Sequence, residues 1–460
     1  MINDTIAAIV TAMGAASVGI IRISGPDAIK IGNLVYSGKA EFIKTPSHSV
    51  LYGRVYDQFN KKLIDEALFL IMREPRTFSG EDVVEIQCHG GMISVRKVLE
   101  IVLRNGARIA EPGEFSKRAF LNGKLDLAQA ESIMDIVNAK TEKSLELAIN
   151  QLQGALSILV NEVRYELLRL VAYIEADIDF PEDDIERLSN TQQLEKLVEL
   201  SDRLINILRT AQKGKLIREG LNVIIIGKPN VGKSSLLNAL IRETKAIVTD
   251  IPGTTRDAIE EYINLGGIPI KLVDTAGIRD SENLVEQIGV EKAKEFITKA
   301  DLILYVIDII EGISDDDKNI IFELLDKIPT IFLANKADLQ YNQDNLKAIK
   351  SILGEKELIL ISAKENQGLE AIEERIAALF FEGSLQISGE AIITSARHVQ
   401  ALQGAYDHLK GAINSIQNDM PGDFVVIDIR SSWELLGKIT GDTIEDDILD
   451  QIFSQFCLGK

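Results

Sequence analysis

Gly227-Lys228-Pro229-Asn230-Val231-Gly232-Lys233-Ser234 follows an apolar run at 223–226 and leads into a helical pattern. The spacing is that of a GxxxxGK[ST] phosphate loop, in the strand-then-helix setting that the motif requires. Its glycines let backbone N–H groups curl around phosphate oxygens, and the N-terminus of the helix that follows favours anions. Lys233 would then reach the β- and γ-phosphates, and the Ser234 hydroxyl, with Ser235 beside it, would face Mg²⁺. An ordinary glycine-rich turn can have the same letters, so the loop alone does not decide the matter.

The segments downstream decide it. Asp274-Thr275-Ala276-Gly277 ends a strand-like run, where the acid would hold the Mg²⁺ water shell and Gly277 would admit the γ-phosphate. Asn335-Lys336-Ala337-Asp338 ends another such run. A carboxylate at Asp338 accepts from guanine N1–H and the 2-amino group, whereas adenine would leave it unpaired. Ser362-Ala363-Lys364 closes the base pocket. All these segments lie at strand ends, where open α/β sheets bind ligands. Between the first two lies Thr249-Asp250-Ile251-Pro252-Gly253-Thr254-Thr255-Arg256-Asp257, which reads as a switch loop whose Thr255 completes Mg²⁺ coordination. The position after Gly277, where many small GTPases carry a water-orienting glutamine, is Ile278. Glu286, a short loop further on, is a candidate to orient water, and an acid favoured by a helix dipole is an equal reading from the residues alone. Arg256 and Arg279 are candidate charge stabilisers, and solvated or loop-fixing arginines are the favoured reading of both.

The 460 residues are 46% hydrophobic and 26% charged, a globular composition with room for several domains. Cys88 and Cys457 are the two cysteines, far apart, which gives no disulfide framework or CxxC metal pattern and fits a reducing cytoplasm. Residues 5–21 carry no charge, but the stretch is short for a membrane span, follows Asp4, and contains Gly14 and Gly19. It is expected to belong to a folded sheet, with no membrane contact. The net charge of −20 argues against a broad electropositive surface for nucleic acid. Residues 1–120 carry 15 Lys and Arg against 13 Asp and Glu, and residues 380–460 carry 5 against 12. A polyanion contact is therefore expected in the N-terminal part. The terminal Cys457-Leu458-Gly459-Lys460 has the length of a prenylation box, but its last two residues and the lack of a basic run upstream do not fit one.

Periodicity divides the chain. Short strand-like runs at 19–23, 66–72 and 83–88, with a helical pattern near 94–103, predict an α+β domain. Leu152, Leu156, Leu159, Val163, Leu167, Leu170 and Ile174 make a helical stripe, interrupted at Phe180-Pro181 and followed by Leu194, Leu197, Leu204 and Leu208. From Leu221 onward, apolar runs at 223–226, 270–274, 302–308, 330–335 and 358–362 alternate with helices, which predicts a parallel sheet covered on both faces. Helical pattern returns after Phe380, and Ile444, Ile448, Ile452 and Phe456 stand behind a candidate capping box of Thr443 and Asp446. The predicted fold class is multidomain α/β plus α, with a helical domain interrupted by an inserted phosphate-loop domain.

Four further stretches carry a family likeness. They are Asp4-Thr5-Ile6-Ala7-Ala8-Ile9 with Gly19-Ile20-Ile21-Arg22-Ile23-Ser24-Gly25; Thr77-Phe78-Ser79-Gly80-Glu81-Asp82 with His89-Gly90-Gly91; the run from Ala110 to Leu127; and the terminal Cys-Leu-Gly-Lys. With them the chain resembles, over essentially its whole length, the bacterial tRNA-modification GTPase family MnmE, also called TrmE. The resemblance implies an N-terminal tetrahydrofolate-binding-like dimerisation domain at 1–118 and helical parts at 119–215 and 379–460. A Ras-like G domain would lie at 216–378. It implies a 5-formyl-tetrahydrofolate or related folate site of Arg22, Glu81, Lys124 and Lys460, where cations suit the folate carboxylates. It implies K⁺-dependent hydrolysis, with Asn230, Thr249, Ile251 and Thr254 around the cation and Glu286 orienting water. It also implies a homodimer, an FAD-dependent partner of the MnmG type, and a tRNA substrate modified at C5 of the wobble uridine, commonly with carboxymethylaminomethyl. Cys457 has been considered catalytic in the family, and a buried cysteine on the Ile444–Phe456 helix is a reading of at least equal weight here. The loop Thr11-Ala12-Met13-Gly14-Ala15-Ala16-Ser17 departs from the family's Pro-rich, Arg- and Gly-containing loop. A ribosome-assembly or other regulatory GTPase is the alternative, disfavoured because no basic C-terminal module appears. A folate-binding module whose G domain no longer cycles is a further reading.

Overall fold

The structure, a computed structural model, describes residues 4–180, 188–243, 261–273, 300–324, 327–381 and 391–460. The chain divides into two compact units, one of residues 1–137, 151–201 and 400–460, the other of 138–150 and 202–399.

The first unit contains a seven-stranded sheet of β1 (Ile6–Ile9), β2 (Val18–Ser24), β3 (Tyr36–Ser37), β4 (Ser49–Asp57), β5 (Lys62–Met72), β6 (Val83–His89) and β7 (Arg108–Ile109). Its order is β3-β4-β5-β6-β2-β1-β7, and only the β1–β7 pair is parallel. The uncharged stretch at 5–21 thus enters the sheet at both ends, in β1 and β2, with a loop at 10–17 between them: Ile6, Ala7, Ala8 and Ile21 are buried in the sheet. No helix among the described residues is long and apolar enough to cross a membrane. Helices Ala28–Val35 and Met92–Arg104 contribute to one core with the sheet, in which Ile31 and Val98 meet Ile21, Phe69, Ile71 and Ile86. Alternation of side chains along each strand puts these residues on one face.

The long apolar stripe is two helices rather than one. Glu142–Leu152 ends, Gly154 turns left-handed at φ +88°, and Ala155–Asp179 begins. Leu152 therefore belongs to the earlier helix, because the glycine breaks the helical path. Ala155–Asp179 buries Leu156, Val163, Leu167, Leu170 and Ile174 and packs on Gly422–Thr440. Arg164 is buried there, stacked over Trp433 with its guanidinium carbon 4.4 Å from the ring centre, and paired with Asp442.

The terminal helix differs from the expectation. It runs Asp446–Ser454 with Glu445 as N-cap and no side-chain cap bond. Thr443 instead donates its hydroxyl to the Glu434 carbonyl, so the Thr443–Asp446 capping box does not form. The buried face is Leu449, Phe453 and Phe456, against Leu127 and Ala130, while Ile448 is exposed. Phe456 of the expected series is buried and Ile444 and Ile452 pack against the same cluster, so packing added Leu449 and Phe453 to the stripe and left only Ile448 outside it.

The second unit contains a six-stranded sheet of β8 (Leu221–Ile226), β9 (Glu261–Leu265), β10 (Ile268–Val273), β11 (Leu302–Asp308), β12 (Thr330–Asn335) and β13 (Leu358–Leu360). The order is β13-β12-β11-β8-β10-β9, parallel throughout except for β9. Sequence reading missed this antiparallel edge strand. Along β11, Leu302, Leu304 and Val306 enter one core, and Ile303, Tyr305 and Ile307 enter another on the opposite face. Helices supply both cores: Leu236 and Ile372 on the first side, Ile321 and Ile349 on the second. Burial on both faces explains the unbroken apolar runs.

Candidate functional site

The phosphate loop leaves β8 and enters helix Lys233–Glu243. Gly227 and Gly232 hold φ of +155° and +98°, and Asn230 sits in the left-handed region at φ +63°. A Cβ on Gly232 would lie 2.2 Å from Asn335 Nδ2, and one on Gly227 would lie 2.3 Å from the Val306 carbonyl. Both glycines are thus required by close approach as well as by backbone angle. The Lys233 ammonium donates to the loop's own Gly227 and Lys228 carbonyls at 2.8 and 2.6 Å. Burial lowers its pKa. Lys228 reaches Asp317, which the Ser314 amide and hydroxyl and the Tyr305 hydroxyl also bind.

Asn335 ties the site together. Its Nδ2 donates to the Val231 carbonyl at 2.8 Å, and its Oδ1 accepts the Ala363 amide at 3.0 Å. One buried side chain thereby joins the phosphate loop to the Ser362-Ala363-Lys364 segment. Lys336, at φ +67°, places its ammonium 2.5 Å from Asp308 at the end of β11. Asp338 accepts the Ser362 hydroxyl at 2.7 Å, and the Ala337 amide donates to the Ile361 carbonyl. The expected base-reading residues are therefore held beside one another by three strand ends. Asp308 and Asp317 are parts of this site that sequence reading missed; the signal for Asp308 was an acid at the end of an otherwise apolar strand.

Thr249, Asp250, Ile251, Pro252, Gly253, Thr254 and Thr255 lie outside the described residues, as do Arg256, Asp274, Thr275, Ala276, Gly277, Ile278, Arg279 and Glu286. Of the Mg²⁺ and K⁺ sets, Ser234 and Asn230 are described. Ser234 stands in the first turn of the helix after a glycine cradle that a Cβ would fill, which fits a metal held against bound phosphates.

The four N-terminal and C-terminal positions are brought to one region of the first unit. Arg22 pairs with Glu85 at 2.8 Å and lies 5.8 and 5.6 Å from the ring centres of Phe78 and Phe115. The Phe115 amide donates to the Lys460 carbonyl, and Gly459 abuts Ile9 and Val10. Glu81 accepts the Ser24 hydroxyl at 2.7 Å and pairs with Arg118 at 3.1 Å. Lys124 donates to the Pro75 carbonyl, and Asn122, two residues before it, to the Ser79 carbonyl. Arg118 was missed by sequence reading. It is 1% exposed and also pairs with Asp4 and Glu114, so it fixes the Glu81 carboxylate from within the fold. Three cations, Arg22, Lys124 and Lys460, and the Glu81 carboxylate, with the Phe78 and Phe115 rings beside Arg22, suit a flat, anionic ligand. Cys457 is exposed and follows the terminal helix, which corrects the reading of it as a buried helix residue, whereas Cys88 is buried with its thiol pushed up to about 11 by burial.

Residues 127–457 match the family model described as the MnmE helical domain, and residues 5–124 match the N-terminus of GTP-binding protein TrmE. The chain belongs to the MnmE family of tRNA modification GTPases. It is 49% identical to "tRNA modification GTPase MnmE" of Desulforamulus reducens, with 100% of each chain covered. The MnmE relative from Alkaliphilus oremlandii is likewise 49% identical with both chains fully covered, and that from Oceanobacillus iheyensis 47% over 100% of this chain and 99% of its own. A crystal structure of Era in complex with MgGDPNP and part of 16S ribosomal RNA overlaps 41% of this chain and 66% of its own at 29% identity. Its TM-score is 0.29, which adds nothing to the MnmE assignment.

Proposed function

We propose that this MnmE-family GTPase hydrolyses GTP in a K⁺-dependent manner as part of wobble-uridine modification of certain tRNAs. It works with an FAD-dependent partner of the MnmG type, adds an aminomethyl or carboxymethylaminomethyl group at C5, and draws the carbon from a bound folate. The observation that carries the GTP part is the Asn335 bridge, which joins the phosphate loop to the base-pocket segment in a full-length relative of tRNA modification GTPases. That full-length identity also disfavours a ribosome-assembly role.

In this reading Lys233 exchanges its loop carbonyls for the more strongly accepting phosphate oxygens, and Asp338 receives the guanine edge. Mg²⁺ held by Ser234 and Thr255, and K⁺ held by Asn230, Thr249, Ile251 and Thr254, supply positive charge where the reaction develops negative charge. Glu286 orients the attacking water. The folate lies among Arg22, Glu81, Lys124 and Lys460, a reading supported by the Arg22 guanidinium against Phe78 and Phe115 and by the Lys460 carbonyl on the Phe115 amide. The protein acts in the cytoplasm as a homodimer.

The test measures GTP turnover in KCl and in NaCl, together with 5-formyl-tetrahydrofolate binding by the wild type and Arg22→Ala. Stimulation by K⁺ and loss of folate binding in the variant are expected. Equal turnover in both salts removes the K⁺ role, and unaltered folate binding removes the folate site. Wobble nucleosides from cells lacking the protein, analysed by mass spectrometry, must lack the C5 group.

A further inference from the structure

β9 begins four residues after Asp257, the last residue of the expected switch loop, and β10 ends one residue before Asp274. The hairpin between them is therefore joined covalently to both segments expected to sense the γ-phosphate. Its turn is Gly266-Gly267, with φ of +61° and +93° and the Gly267 amide bound to Asn264 Oδ1 at 2.8 Å. Both positive angles are those of a tight type I′ hairpin turn.

One helix from outside the expected G domain grips this hairpin. Helix Glu142–Leu152 sends the Lys143 ammonium to the Gly266 carbonyl at 2.9 Å. The stem of Lys143 lies so close to the turn that a Cβ on Gly267 would sit 2.5 Å from its Cδ. Just before the helix, the Lys140 ammonium lies 3.1 Å from the centre of the Tyr262 ring on β9. Leu147 is buried in the same core as Ile263, Leu265, Ile268 and Ile270. The Lys143 amine is partly desolvated, and burial, with Lys213 nearby, lowers its pKa. Residues 138–150 accordingly cluster with the second unit. The last turn of the same helix is anchored in the first unit: the buried Gln151 donates to the Ala128 carbonyl, and Gln129 donates to the Leu152 carbonyl.

We propose that Lys140 and Lys143 make helix Glu142–Leu152 the reader of the nucleotide state, transmitting changes in the β9–β10 hairpin to the helical bundle through Gln151. This rests on the GTPase reading above. A cation–π contact on β9 and a carbonyl hydrogen bond at the turn that ends it fix the hairpin's position relative to the helix. A shift of the hairpin must then be met by the helix, whose far end is held by two glutamine bonds.

Amide hydrogen exchange in the full-length protein tests this, comparing the GDP form with the Mg²⁺ form of a non-hydrolysable GTP analogue. In the wild type, the amides of residues 143–150 are expected to differ between the two states by about fivefold or more. In the Lys140→Met, Lys143→Met double variant that difference disappears while the amides of 261–273 still respond, and Lys143→Arg restores it. Equal exchange of 143–150 in both states of the wild type overturns the proposal, as does a full response in the double variant. If neither the hairpin nor the helix responds because the analogue does not bind, the GTPase reading itself has failed.

Discussion

Asn335 shows how much one side chain decides at this site. It is 3% exposed, and both ends of its amide are committed, one to Val231 and one to Ala363. Replacing it with alanine leaves a buried carbonyl and a buried amide unpaired, at about 2 kcal/mol or more. Asn335→Ala is therefore expected to lower both the unfolding midpoint of the second unit and its guanine-nucleotide affinity, read by urea titration and a fluorescent GDP analogue. A variant as stable as wild type would show that the bridge is not structural. Asp338→Asn tests a different link. The amide cannot accept both guanine donors, so GTP affinity should fall roughly a hundredfold while xanthosine nucleotides, with a carbonyl at that position, gain. Unchanged base preference sinks the assignment.

His89 gives a pH-dependent test at the same scale. Its ring nitrogen lies 2.6 Å from Asp65, and that hydrogen bond, with the carboxylate's charge, raises its pKa above 6.5. A raised histidine stabilises the fold fully below its unfolded pKa and loses the contribution as pH rises through the folded value. His89→Gln should therefore lower the melting temperature more at pH 6 than at pH 8.5, and a His89 titration by NMR should have a midpoint above the ordinary value. An equal effect at both pH values refutes this.

At the scale of the element, caps and breaks set the helical part. Asp126 Oδ1 accepts the Gln129 amide and Gln129 Oε1 accepts the Asp126 amide, both at 2.9 Å, a reciprocal cap on helix Leu127–Asn138. Burial raises the Asp126 pKa, only partly opposed by the hydrogen bond from the Gln129 amide. A carboxylate with a raised folded pKa favours the fold below its unfolded pKa and disfavours it as pH rises through the folded one. Asp126→Asn keeps an acceptor and removes the charge, so it should be at least as stable as wild type at pH 7, with its advantage vanishing at acid pH. Asp126→Ala should cost about 1 kcal/mol at pH 7. Urea unfolding at the two pH values checks both, and a destabilised asparagine variant would show that the charge is compensated. The D-x-x-Q signal is present in the sequence, whereas the Thr443–Asp446 pair has the spacing of a cap without forming one. Local hydrogen-bonding patterns identify candidate caps, but which of them forms depends on where packing starts the helix.

For the whole molecule, two compact units predict two unfolding transitions rather than one. GTP analogue with Mg²⁺ binds only the folded second unit, so at 100 times Kd it should raise that unit's stability by about 2.7 kcal/mol and move one calorimetric transition. Equal shifts of both transitions, or a single transition, would mean that the units do not unfold independently.

The sequence by itself determined the phosphate loop, the place of the Asn335–Asp338 segment at a strand end, the double-sided apolar strands and the family. Each is written in residues near one another in the chain, and the backbone geometry that each needs depends on its own glycines or its own periodicity. Only the tertiary structure decided that Asn335 joins the phosphate loop to the Ser362 segment, that Arg118 holds Glu81, and that Phe453 rather than Ile448 is buried. The reason is that such pairings join residues far apart in the chain. Close packing and the cost of unpaired buried polar groups select among partners that local pattern leaves equivalent.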